Sequence, residues 1–219
     1  MTIPGILTNG VFLYDFKNEK YVSVENIGAE VAKQVVKIFK DVKLSCFVYI
    51  FTQDKINVYY DTKSMEEQTQ YYSDRALEKC GEVKMVSDLK QILNTGDICY
   101  LAYTGHKEEL QPVCEKLDKL KGICYSFYLN IYNGMYCLEI FSDKANKKNA
   151  LIKLKKLLEC EEVVVFGDNF NDLPMIELAD RSYAPENALP EIKEKVTEVL
   201  EDCDHDGVAK FLKNEFSEN

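Results

Sequence analysis

Apolar positions along the chain follow two periods. Over "VENIGAEVAKQVVKIFKDV", Ile27, Val31, Val35, Ile38 and Phe39 recur at helical spacing, which predicts a helix with one buried face. β-Branched and aromatic residues fill the short runs "LSCFVYIF", "KINVYY", "DICYLAYT", "GICYSFYLN" and "GMYCLEIF", which predict strands. The first two runs read as a hairpin, as do the last two, joined by a turn with Asn133 and Gly134. An earlier strand is predicted across "GILTNGVFLYD", and helices near residues 64–80 and 106–119. Hairpin-linked strands interleaved with helices imply an antiparallel sheet covered by helices, so residues 13–139 read as an α+β unit.

After residue 140 the pattern changes to strict alternation. A helix from Asn146 to Leu158, the strand "EEVVVF", a helix from about Leu173, the strand "SYA", a helix near "LPEIKEK", the strand "TEVL" and a last helix "GVAKFLKNEF" form a βα series expected of a parallel sheet. No internal repeat or low-complexity linker separates the halves. A chain of 219 residues is long enough for two small domains, each with its own core.

Charge narrows the partners. Lys and Arg number 27 against 37 Asp and Glu, a formal charge of −10 with no segregated basic face, which argues against nucleic acid and against anionic membrane surfaces. Eight cysteines (Cys46, Cys80, Cys99, Cys114, Cys124, Cys137, Cys160 and Cys203) include no Cys-x-x-Cys pair and mostly lie in apolar runs; they read as buried thiols in a reducing compartment. The start "MTIPGILTNG" lacks a basic segment followed by an apolar one, and no apolar run has membrane-spanning length. A soluble cytoplasmic protein is expected.

Candidate chemistry concentrates in "VVVFGDNFNDLPM", residues 163–175. The apolar run suits a central parallel strand, Gly167 lets the chain turn, and Pro174 opens a helix. Ligands of parallel sheets sit beyond the carboxyl ends of the strands, where Asp168 and Asp172 must lie. No lysine or arginine occurs between Lys156 and Arg181, so a divalent metal, magnesium by the hardness of the oxygen ligands, is one way to satisfy both carboxylates. The other reading makes Asp172 a helix cap and Asp168 a solvated loop residue. Lys147 is a second unusual position: it shares a face with the apolar stripe Ala150, Leu151, Leu154 and Leu158, and a cation there opposes the helix dipole by about 0.3–1 kcal/mol. It either snorkels, like Lys148, Lys153, Lys155 and Lys156, or meets an anion.

"GDNFNDLPM" resembles the fourth motif, Gly-Asp-x-x-Asn-Asp-x-x-Met, of the haloacid dehalogenase (HAD) superfamily, in the form found in its Cof-like capped sugar-phosphate phosphatases. The resemblance extends to "PGILTNGVFLYD", the lead into the family's cap, to "CLEIFSDKANKKNALIKL", its return to the core, and to "PENALPEIKEKVTEV" with "DHDGVAKFL", its closing stretch. It implies that Asp168 and Asp172 hold Mg2+, that Lys147 is the third-motif lysine paired with the transferred phosphoryl group, and that Asn171 helps orient lysine and phosphate. The family usually follows its lysine with glycine, and Lys148 stands there instead, which leaves Lys148 as an alternative to Lys147.

The family's reaction also uses an Asp-x-Asp nucleophile motif on a first strand and a Ser or Thr phosphate donor on the next core strand. By resemblance both fall before "PGILTNG", so the chain is expected to lack them and to turn over little on its own. Asp204 and Asp206 in "DCDHDGV" imitate the nucleophile motif, but the family's closing stretch often reads "DGVA" here; as an EF-hand loop the segment fails because Lys213 holds the twelfth position. Thr104 in "YLAYTGH" imitates the phosphate donor but falls in the cap. Asn9, beside Gly10, suits a turn or the cleft at the crossing between core and cap. His106 and His205 are expected at the surface without a catalytic partner.

The fold expected is thus α/β: a partial HAD-type Rossmann-like core with a parallel sheet, residues 1–12 and 140–219, and an inserted α+β cap with an antiparallel sheet, residues 13–139. Chain crossings near Gly10 to Tyr14 and Glu139 to Asp143 would be its hinge. The function expected is Mg-dependent phosphatase action on small phosphorylated metabolites such as sugar phosphates, impaired in this chain. The alternative is a non-catalytic phosphometabolite-binding or interaction module. Self-association through an exposed edge of the core sheet is also expected.

Overall fold

The computed structural model describes residues 3–69, 81–130 and 133–216. Most of the helix expected near 64–80 lies outside the described residues, as does Cys80. The chain divides into two compact units, one comprising Met1–Gly5 and Val11–Ala145, the other Ile6–Gly10 and Asn146–Asn219.

The single strand expected across "GILTNGVFLYD" is two. Strand β1 (Gly5–Leu7) ends in a turn, Thr8–Gly10, and β2 (Phe12–Asp15) follows. Thr8, Asn9 and Gly10 have φ of 48°, 51° and 101°, a left-handed run that no strand tolerates. A Cβ on Gly10 would lie 2.5 Å from the carbonyl oxygen of Asn146, so this position requires glycine for space as well as for conformation. The strand that follows, β3 (Lys20–Val24), pairs antiparallel with β2 and is not evident from periodicity.

The larger unit is organised by a six-stranded sheet. Helix α1 (Ala29–Asp41) is followed by β4 (Phe47–Thr52), β5 (Lys55–Tyr60), α2 (Lys63–Gln68), β6 (Val83–Met85), β7 (Asp97–Gly105), α3 (Lys107–Leu117), β8 (Ile123–Leu129) and β9 (Tyr136–Ser142). The strand order is β6-β5-β4-β7-β9-β8, antiparallel as expected except for the parallel pair β5 and β6. Both predicted hairpins form, β4 with β5 and β8 with β9.

Register assigns the two faces of this sheet. Tyr103 opposes Leu138 and Tyr125 opposes Ile140, so these share a face with Tyr136. That face meets the helices: the Phe39 ring of α1 lies 6.0 Å from Tyr103, the Lys107 ammonium of α3 lies 5.7 Å from the Tyr136 ring, and the Tyr125 hydroxyl donates to Asp118 just after α3 at 2.7 Å. Ala32, Val35, Val36 and Phe39 of α1 and Leu110, Val113 and Leu117 of α3 are buried there. Each large aliphatic or aromatic side chain so buried contributes about 1.5–3 kcal/mol. On the opposite face the β2–β3 hairpin packs Tyr21 at 5.0 Å from Phe51 and Phe12 at 6.5 Å from Tyr100, which itself stacks on Tyr49 at 3.9 Å.

The second unit is the expected βα series. It contains α4 (Lys147–Leu158), β10 (Val164–Phe166), α5 (Leu173–Ile176), β11 (Arg181–Pro185), α6 (Pro190–Lys193), β12 (Glu198–Leu200) and α7 (Gly207–Phe216). The three strands are parallel in the order β10-β11-β12, around a core of Val163, Val165, Ile176, Ala184 and Ile192. Helix α7 is anchored by Phe211, 4.2 Å from the Tyr183 ring, and by Glu215, which accepts from Arg181 at 2.5 Å.

The cysteines form no disulfide among the described residues. Cys46, Cys99 and Cys114 are buried as expected, but Cys160 and Cys203, which follow the ends of α4 and β12, are exposed. Burial pushes the Cys99 thiol up to about 12. No helix among the described residues is long and apolar enough to cross a membrane.

The turn at Gly10 makes a direct test of this packing. Gly10→Ala is expected to lower stability by at least about 1–2 kcal/mol, from the forced left-handed conformation alone, and more from the clash with Asn146. Urea unfolding should show a lower midpoint at an unchanged slope; an unshifted midpoint would contradict the geometry.

Candidate active site

Strand β10 delivers the acidic loop to the carboxyl end of the parallel sheet. The Gly167 amide donates to the Tyr183 carbonyl at 3.0 Å, holding the end of the strand to β11. A Cβ on Gly167 would lie 2.6 Å from that of Asp172, so glycine lets the loop fold back on itself here. The Asp168 and Asn169 amides donate to Asp172 Oδ2 at 3.0 and 3.3 Å, and the Asn169 carbonyl accepts from the Asp172 amide at 2.9 Å. The carboxylate is thereby locked beneath its own loop.

The other oxygen answers the question of counter-charge. Lys147 Nζ donates to Asp172 Oδ1 at 2.5 Å, bridging 25 residues of sequence; the two side chains are 29% and 5% exposed. Lys147 is the first residue of α4, whose cap is Asn146, with Oδ1 accepting from the Asn149 amide at 2.8 Å. Burial pushes the Asp172 carboxyl up, but the hydrogen bond from Lys147, those from the Asp168 and Asn169 amides and the Lys147 charge outweigh it and hold the group below its ordinary 3.8. Two alternatives open on sequence are thus displaced. Asp172 makes no side-chain cap to α5, and Lys147 is engaged with a carboxylate instead of extending to solvent.

Asp168, Asn169, Phe170 and Asn171 form the exposed tip of the loop, with Phe170 55% exposed. Among the described residues no third His, Cys, Asp or Glu joins Asp168 and Asp172 in a group able to hold a metal. The donors present still suit magnesium, which characteristically takes one or two carboxylates and completes its shell with water and substrate phosphate. Asp168 offers an exposed carboxylate; both Asp172 oxygens already accept hydrogen bonds.

The remaining sequence candidates fall elsewhere. Asn9 lies in the left-handed turn whose Gly10 abuts Asn146. Thr104 belongs to β7, its hydroxyl 3.7 Å from the Cys137 thiol. Asp204 and Asp206 belong to a 3-10 turn, Cys203–His205, and its exit; Asp202 caps the turn, and Asp206 turns left-handed at φ 55° into α7. His205 does have a partner, Asp202 Oδ1 at 2.6 Å from Nδ1, in an exposed pair. His106 precedes α3, its amide donating to Glu109 at 2.7 Å. Periodicity carries no sign of the amide cradle around Asp172. The available signal is Gly167, a residue without a side chain standing shortly before that aspartate at the exit of an apolar strand.

Comparison with known proteins adds independent findings. Residues 1–212 match the family model of the haloacid dehalogenase-like hydrolases. A 5-amino-6-(5-phospho-D-ribitylamino)uracil phosphatase of Bacillus subtilis is 30% identical over 134 residues, 59% of this chain, and an HMP-PP phosphatase of Klebsiella pneumoniae is 29% identical over 120 residues, 51% of it. The chain spans less than half the length of these two relatives, 45% and 42% respectively. The crystal structure of a Thermotoga maritima protein, TM0651, shares the fold with a TM-score of 0.67 at 24% identity, covering 96% of this chain and 74% of that one.

Asp172→Asn should lower stability by about 1.5–3 kcal/mol at neutral pH, the range for a hydrogen bond to a charged group. The folded-state value is depressed, so the stabilisation is present above the unfolded value near 3.8 and is lost as pH falls through the folded one. Urea titrations of both proteins should therefore converge on the acid side, and a gap that stays constant with pH would contradict the pair.

Proposed function

Since this chain belongs to the haloacid dehalogenase-like hydrolases, we propose that it is a magnesium-dependent phosphatase unit acting on small phosphorylated metabolites such as sugar phosphates. The observation that carries the reading is Lys147, an ammonium pinned by Asp172 at the carboxyl end of a parallel sheet. An ammonium has three N–H donors, and Asp172 takes one, so two remain for phosphoryl oxygens. Both relatives described above are named as phosphatases, one of a phosphoribityl compound, which supports the substrate class.

Each residue then has a role. Lys147 neutralises the phosphoryl group, Asp172 keeps the lysine in place, Asn171 orients the phosphate through its exposed amide, and Asp168 holds Mg2+, with Asp172 contributing through the amides that fix the loop. When bound, the metal supplies further positive charge to the phosphoryl oxygens. Residues 1–12 and 140–219 serve as core and 13–139 as the cap that selects the substrate.

A second reading rests on one observation. Phosphoryl transfer in this family needs an aspartate nucleophile, and no third carboxylate is grouped with Asp168 and Asp172 among the described residues. The chain by itself is then a binding module for phosphorylated metabolites, with little or no hydrolysis.

Calorimetry and phosphate release separate the two. The phosphatase reading expects magnesium uptake that Asp168→Ala removes, and phosphate binding that Lys147→Ala weakens about ten-fold or more. Magnesium-dependent release of phosphate from an aryl phosphate marks an enzyme, and binding without release marks the module. Uptake of neither magnesium nor phosphate would sink both.

A further inference from the structure

One edge of the six-stranded sheet lacks every usual defence against strand addition. Strand β8 is last in the order β6-β5-β4-β7-β9-β8, and among the described residues it pairs on one side only, with β9. Its sequence, ICYSFYL, has no charge, no proline and no glycine, in a chain that is 29% charged. Its pairing runs in one unbroken register from Ile123 opposite Ser142 to Leu129 opposite Tyr136, so no bulge twists the edge away. Open edges are ordinarily protected by a lysine, a proline or a bulge, and β8 has none of the three.

The ends of the strand fix its hydrogen-bond parity. The Asp143 amide donates to the Gly122 carbonyl at 3.4 Å and the Asn130 amide to the Met135 carbonyl at 2.8 Å, so residues 122 and 130 direct backbone groups toward β9. An antiparallel ladder alternates with a period of two, which turns the groups of Cys124, Ser126 and Tyr128 the same way. The N–H and C=O groups of Ile123, Tyr125, Phe127 and Leu129 therefore point outward. Tyr125 and Phe127 oppose Ile140 and Leu138, so the side chains of these outward-bonding residues lie on the face that meets the helices.

We propose that β8 is a dimerisation edge, pairing antiparallel with β8 of a second copy of this chain about a two-fold axis at Ser126. The strand is close to a palindrome in character: aliphatic Ile123 and Leu129 at its ends, rings Tyr125 and Phe127 either side of the central Ser126. In the symmetric register Ile123 meets Leu129 of the second copy, Tyr125 meets Phe127, Cys124 meets Tyr128, and Ser126 meets its own equivalent. Each outward group then faces an outward group, giving about eight hydrogen bonds across the seam. Ring lies against ring, aliphatic against aliphatic, and no like charges are opposed. A slip of one residue sets outward groups against inward ones, and a slip of two leaves strand ends unmatched. An unrelated strand would gain the backbone bonds without this side-chain symmetry, which is what a two-fold interface requires.

Sedimentation of the full chain from about 1 µM to about 300 µM should show a monomer–dimer equilibrium. Leu129 is 47% exposed, so Leu129→Lys leaves the fold intact, as circular dichroism can verify, while placing a charge against Ile123 at both ends of the seam. It should weaken the dimer about ten-fold or more. Replacing the exposed thiols, Cys160→Ser with Cys203→Ser, gives a background for Ser126→Cys. In that register the two thiols meet at a non-hydrogen-bonded pair, where a Cα separation of about 4.5 Å admits a disulfide. Mild oxidation should yield a covalent dimer that mass spectrometry finds linked at position 126. A chain that stays monomeric at the highest concentration, a dimer indifferent to Leu129→Lys, or a dimer that forms no link at position 126 overturns the inference.

Discussion

A lysine at the first position of a helix and a buried aspartate in the loop after a parallel strand are both poorly placed on their own. The helix dipole works against the lysine by about 0.3–1 kcal/mol, and an unpaired carboxylate as enclosed as Asp172 would be far more costly. Together they remove both costs, at 2.5 Å, and the Asp168 and Asn169 amides satisfy the oxygen that Lys147 leaves over. The same contact ties α4 to the loop after β10, and it leaves an ammonium with spare donors where parallel sheets bind ligands. Fold and chemistry in this unit meet in that one pair.

How much of this is legible in the sequence depends on whether the deciding interaction is local. Helical spacing in Val35 and Phe39, alternation in β8 and β9, and the apolar run of β10 each report a burial pattern, and those elements form where expected. The β2 strand does not extend back through Thr8–Gly10, because the constraint there is a contact with Asn146, far away in sequence. β6 pairs parallel with β5, a register that no short-range pattern encodes. For the candidate site, residue types and loop are legible, but the partner of Asp172 is not. A search for cations within the loop finds none; the topology brings one from α4.

The two faces of the six-stranded sheet show a related asymmetry. Toward α1 and α3, β9 presents Tyr136, Leu138 and Ile140, and the packing is continuous with the helices. The other face mixes the ring cluster of Tyr49, Tyr100 and Phe51 with the polar row Thr104, Glu139 and Ser126. One face is thus apolar where it meets the helices, whereas the other is packed in one part, through Tyr49, Tyr100 and Phe51 against the β2–β3 hairpin, and polar in another.

The distribution of thiols has a practical corollary. Cys160 and Cys203 meet solvent, whereas Cys46 lies wholly inside the larger unit with its acidity suppressed by burial. Alkylating reagents attack thiolates that they can reach, so modification of Cys46 must wait for the sheet to open while the two outer sulfurs label at once. The protein therefore carries its own clock for local opening, readable by mass spectrometry without any engineered probe.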